Sequence, residues 1–220
     1  MGWNEIEKLL SPRLRFLEFI AALSPTPMYM IAKSFESLGL TKKYRAVLTD
    51  YERLIKKGIY VTYDCGSSKC VQVNIDLICN EFSKKVELND DERKALCDSM
   101  KEFVNNLRFE PKVGNAGNIE LLNDIIKNFT FYFFIVHLSI SSLEYNNRIN
   151  DKTKESIIFK IASDVSKQIL ENPVLLSKLF TAAKLITEKG GQLKSSKLLM
   201  KYLTKASDLS YQGLGSERPK

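Results

Sequence analysis

The 220-residue chain is 44% hydrophobic and 27% charged, the balance of a globular protein long enough for one large domain or two small ones. Six prolines and ten glycines are too few for a loop-rich all-β architecture, and four cysteines are too few for a disulfide scaffold of this size. The net charge of +7 is uneven: eleven Lys and Arg face eight Asp and Glu in residues 1–80, nine face eleven in 81–150, and thirteen face seven in 151–220.

Met1–Leu10 carries Glu5 and Glu7 and no apolar core, so it does not read as a secretory signal. Ser11-Pro12 opens the first clear helix, with Leu14, Leu17, Phe19 or Ile20, and Leu23 at helical spacing. Thr26-Pro27 repeats the start signal for a second helix, whose face is Met28, Ile31, Ala32, Phe35 and Leu38. Gly39 then lets the chain turn. Thr41 caps a third helix from about Lys42 to Lys57, with Tyr44, Val47, Leu48, Tyr51, Leu54 and Ile55 three and four apart; Gly58 ends it.

Next the period drops to two. Ile59, Val61 and Tyr63 alternate, a turn follows at Cys65-Gly66-Ser67-Ser68-Lys69, and Val71, Val73 and Ile75 alternate again, which predicts a β-hairpin. From the acidic start Asn89-Asp90-Asp91 onward the chain reads as helical: about 90–108, a loop at 112–118, then 119–145, 152–171, 173–188 and 192–209. The longest apolar run, Phe129 to Ile140, is shorter than the roughly 20 residues of a membrane span. Without signal or span, the cytoplasm is the expected location.

The stretch Met28-Tyr-Met-Ile-Ala-Lys, then Leu38-Gly39-Leu40-Thr41, Tyr44-Arg45, Leu48, Leu54 and Lys57-Gly58-Ile59 resembles the helix-turn-helix of winged-helix transcription regulators. The resemblance covers about 65 of the 220 residues. It implies a mostly α fold: an N-terminal winged helix (1–80, three helices plus a β-hairpin), an all-helical domain (88–210) for dimerisation or partner binding, and a flexible tail (211–220). It also implies a DNA-binding regulator with no cofactor, whose partner is double-stranded DNA.

Side chains on the first exposed turns of a recognition helix meet the major groove. Here these are Thr41, Lys42, Lys43 and Arg45, with Thr49 one turn on. Arg45 is the expected base reader, because its planar fork takes guanine O6 and N7 together; Lys42 and Lys43 suit phosphate. Lys69 is the wing's single cation. A second basic face is expected at Lys194, Lys197, Lys201 and Lys205, spaced three, four and four, unless it is only the wet side of an amphipathic helix.

Cys65 and Cys70 flank the hairpin turn and come within reach of a bridge if the register sets them opposite; otherwise they remain thiols. Cys79 and Cys97 complete no zinc pattern, and Cys97 reads as core. His137, the single histidine, lies in an apolar run and reads as a core or interface residue rather than a catalytic one. No glycine-rich phosphate loop, Ser/His/Asp set or metal-spaced carboxylate cluster occurs, so no enzyme is expected. A homodimer through the aromatic residues at 129–134 fits a regulator reading two half-sites. The rival expectation is a winged-helix docking module for a protein partner in a replication, partition or defence assembly.

Overall fold

The computed structural model describes residues 1–37, 44–66, 68–106 and 130–171. These are mostly helical, with one small antiparallel sheet after the first helices. The chain divides into two compact units, one holding Met1–Phe82 and the other Ser83–Met100 with the segment from 128 onward; residues 101–106 belong to the first.

In the first unit, α1 (Trp3–Leu10) and α2 (Arg13–Ala21) precede a two-residue strand β1 (Thr26–Pro27), then α3 (Met28–Ser37), α4 (Tyr44–Lys56), β2 (Tyr60–Cys65) and β3 (Ser68–Val73). The helix α1 is additional to those expected. Trp3, Ile6 and Leu10, three and four apart, are all buried, and the Trp3 ring lies 5.2 Å from that of Phe82. The pair Thr26-Pro27, expected to start a helix, is instead extended and pairs with Val71 and Cys70. The helix starts one residue later, at Met28.

The sheet order is β1-β3-β2, so β3 is central. That position buries Cys70, Val71, Gln72 and Val73 alike, where simple alternation predicted one wet face. β3 is held further by Ala22, whose backbone oxygen accepts from Val73 N at 2.7 Å, and by Leu23, whose oxygen accepts from Gln72 Nε2 at 3.2 Å. The strands run on through Cys65 and Ser68, so the turn is tighter than expected. Tyr60 is buried at the start of β2, just after the buried Ile59, while Tyr63 is 47% exposed.

α4 ends as its Gly58 predicted. Gly58 has φ 75°, its N–H donates to Ile55 O at 2.8 Å, and Ile59 N–H donates to Leu54 O at 3.0 Å. This is a Schellman ending, in which a left-handed residue lets the last carbonyls find partners, and the buried Leu54 and Ile59 supply its apolar contact. Asn74 then stitches the hairpin to the next helix: its N–H donates to Ile59 O, its Nδ2 to Gly58 O, and its Oδ1 accepts from Leu77 N.

That helix, α5 (Ile75–Lys85), takes up Ile75, which reads equally well as the last position of a strand. It is followed by α6 (Asp90–Asn106), α7 (Phe131–Tyr145) and α8 (Asp151–Glu171). The start of α6 is a reciprocal cap: Asn89 Oδ1 accepts from Glu92 N, and a Glu92 carboxylate oxygen accepts from Asn89 N, both at 2.9 Å. The single helix expected over 119–145 does not pass through Thr130, which is extended and whose hydroxyl oxygen accepts from Phe133 N at the start of α7.

In the second unit Lys85 Nζ bonds both Asp164 oxygens at 2.9 Å, and Tyr132 Oη donates to the same carboxylate at 2.6 Å. Glu92, 5% exposed, accepts from Ser156 Oγ at 2.6 Å and Lys160 Nζ at 2.5 Å. In α7 Phe131, Tyr132 and Phe133 are buried, while Phe134, His137, Ser141 and Glu144, three and four apart, form a partly exposed stripe along one side. No described helix is long and apolar enough to cross a membrane.

Candidate nucleic-acid interface

Helix α4 has two clean sides. Val47, Tyr51 and Leu54 are fully buried, while Arg45, Ala46, Thr49, Glu52, Arg53 and Lys56 are exposed. At 100° per residue the exposed set falls on one face, and from Arg45 to Lys56 it extends about 16 Å along the axis. That outward face holds three cations and one carboxylate. Sequence reasoning places Arg45 and Thr49 there but stops after one turn. Arg53 and Lys56 continue the same spacing, which is the signal that would have found them.

The inner side fixes this face. Tyr51 and Tyr60 rings lie 5.1 Å apart, and Tyr51 Oη donates to Glu18 O at 2.9 Å. Burial, reinforced by Glu18, pushes both phenols well above their ordinary pKa, so neither ionises at neutral pH. At the rim, Asp50 accepts from Arg53 Nη2 at 3.2 Å and lies 4.0 Å from Arg15 Nε. The Arg53 side chain remains 47% exposed, so its fork is steadied by Asp50 without being covered. Thr49 Oγ1 donates to Arg45 O at 2.9 Å, leaving the hydroxyl oxygen outward as an acceptor. Lys57 is turned away from this face by its 2.8 Å pair with Glu5 on α1.

The hairpin adds little charge. Lys69 stands directly opposite Asp64 in the register, so the tip is close to neutral. Cys65 and Cys70 are bridged, with Cα atoms 5.8 Å apart. They are not opposite one another: Cys65 faces Ser68 and Cys70 faces Tyr63, so the bridge runs diagonally. None of the four cysteines is a free thiol, and both Cys79 and Cys97 are buried. His137 is pushed below its ordinary pKa by burial.

Thr41, Lys42, Lys43, Gly39 and the lysine face Lys194, Lys197, Lys201 and Lys205 lie outside the described residues, as do the helices expected at 173–188 and 192–209 and the tail from 211. Among the described residues no cluster of His, Cys, Asp and Glu is arranged to hold a metal ion. No family model, curated protein or solved structure matches the chain.

Proposed function

We propose that the chain is a double-stranded DNA-binding regulator of winged-helix type that lays α4 in the major groove. The observation that carries this is the uncovered basic face of α4: Arg45, Arg53 and Lys56 project from a helix whose opposite side is locked into the core. A groove about 12 Å wide admits such a helix, and bidentate Arg readout needs a fork held on a rigid rod. The order of two helices followed by a hairpin agrees with the winged-helix resemblance. A homodimer belongs to this proposal, since two copies reach half-sites one DNA turn apart. Phe131–Phe133 are buried, so of the described aromatic residues in the stretch expected at the dimer seam Phe134 is the one that keeps exposed surface. A monomer mass by light scattering at micromolar concentration removes the dimer and leaves the DNA contact standing.

The test is a gel shift on the DNA upstream of the chain's own gene at two salt concentrations, with Arg45→Ala beside the wild type. Binding should weaken steeply with salt, and Arg45→Ala should lose about 1–3 kcal/mol on the preferred duplex while equalising it with scrambled DNA. One observation favours a second proposal, a protein-docking module: the hairpin offers the exposed Tyr63 beside a nearly neutral tip. Absence of any shift at low salt decides for docking.

A further inference from the structure

We propose that the Cys65–Cys70 bridge is a reversible thiol–disulfide clasp on the hairpin tip, whose opening weakens the grip on DNA; it rests on the DNA-binding function proposed above. The bridge is not what aligns the strands. Six residue pairs, from Tyr60 with Val73 to Cys65 with Ser68, set the register, and β1 holds β3 from the other side. The bridge cinches the end of the ladder instead, closing a covalent ring that contains Gly66, Ser68 and Lys69. Gly66 sits in that ring at φ 68°, and Lys69 is the hairpin's cation.

The two bridged residues differ in access. Cys65 is exposed at the end of β2, while Cys70 is 1% exposed on the central strand. An incoming thiolate is therefore expected to attack on the side of the exposed residue, at Cys65 Sγ. Attack there by a dithiol forms a mixed disulfide with Cys65 and expels the Cys70 thiolate, which takes a proton. The second thiol of the reductant then closes on its own mixed-disulfide sulfur and releases Cys65 as a thiol. Two electrons and two protons pass from the dithiol, which leaves as a cyclic disulfide. The strand ladder survives the exchange, and only the turn regains freedom. A looser turn must be re-ordered before Lys69 can hold a phosphate, at about 0.5–1.5 kcal/mol for an immobilised side chain, which corresponds to a loss of affinity of about two- to twelvefold.

The experiment has two readouts on the folded full-length chain. Titration with dithiothreitol, alkylation with iodoacetamide and peptide mapping show which cysteines open, while far-UV circular dichroism follows the fold. Fluorescence anisotropy with a labelled mixed-sequence duplex follows affinity in the oxidised and reduced states, and for Cys65→Ser/Cys70→Ser. Expected are alkylation of Cys65 and Cys70 ahead of Cys79 and Cys97, an unchanged helical signal, and weaker binding by the reduced chain. At dithiothreitol concentrations that leave Cys79 and Cys97 unalkylated, the double variant should match the reduced chain and ignore the reductant; if it does not fold, the two wild-type states compared at those concentrations decide alone. A bridge that resists dithiothreitol until the helical signal collapses overturns the clasp. Equal or tighter binding after reduction overturns it while leaving DNA binding intact, and failure of either state to bind the duplex overturns both.

Discussion

The phenolic oxygen of Tyr51 donates to the backbone oxygen of Glu18 at 2.9 Å, across 33 residues of sequence. This single bond ties α4 to α2 from the side of α4 that faces away from Arg45. What holds the helix and what the helix offers outward are therefore separable by mutation.

Tyr51→Phe removes this donor and little else. Glu18 O also accepts from Ala22 N at 3.1 Å, so it keeps one partner. The expected loss is about 1 kcal/mol, read as a lower urea midpoint with an unchanged slope. Arg45→Ala, on the exposed side, should leave that midpoint within about 0.5 kcal/mol of wild type. Equal destabilisation by the two variants contradicts the separation.

Arg53→Gln and Lys56→Gln should weaken duplex binding without changing which duplex is preferred. Each phosphate that a variant no longer neutralises reduces the slope of log affinity against log salt by about 0.9. Anisotropy titrations at several salt concentrations measure that slope, and unchanged slopes in both variants confine the DNA interface to the first turn of α4.

Two helices end alike on different residues. α4 uses Gly58 at φ 75°, whereas α5 uses Glu87 at φ 57°, with Leu88 N–H donating to Ser83 O at 3.0 Å. Gly58→Ala forces a side chain into the left-handed region and should cost about 1 kcal/mol. Glu87→Gly relieves the same strain and should stabilise by a few tenths to about 1 kcal/mol after the added freedom of the unfolded chain is subtracted. Thermal melts of the pair should move in opposite directions.

Acid should loosen the second unit through Glu92. Burial pushes its carboxyl up, but the bonds from Lys160, Ser156 and Asn89 outweigh that and hold it below the ordinary 4.5. A carboxylate depressed by folding contributes stability that is complete above 4.5 and fades as pH falls through its lower folded value. Glu92→Gln should lower the melting temperature at neutral pH and flatten its decline in acid. His137 adds a second slope: burial lowers its pKa from 6.5, so stability also declines as pH drops below that value. With one histidine in the chain, the imidazole midpoint is read directly by proton NMR.

The outward and inward sides of α4 are legible in the sequence because Val47, Tyr51 and Leu54 mark the helical period without ambiguity, and Gly58 marks its end. β1 is not legible. Thr26-Pro27 is extended only because Val71 and Cys70, more than forty residues on, supply its partners, and local propensity carries no trace of that. α5 is hidden by a neighbouring pattern, since Ile75 completes an alternation that in fact stops at Val73. α1 is within reach of pattern reading, as Trp3, Ile6 and Leu10 have the spacing, but Glu5 and Glu7 between them mask it. The bridge forms without a directly opposed pair: Cys65 and Cys70 are diagonal neighbours on one face, which still brings their Cα atoms to 5.8 Å.

Pro27 has a consequence for how copies of this chain meet. A proline cannot donate a main-chain proton, so the β1 margin of the sheet is blunted, and the margin of β3 is already occupied by β1 and Ala22. The outer margin of β2 carries no further strand among the described residues and has no proline to blunt it. Lateral pairing with a further strand is therefore less favoured along β1 than along β2.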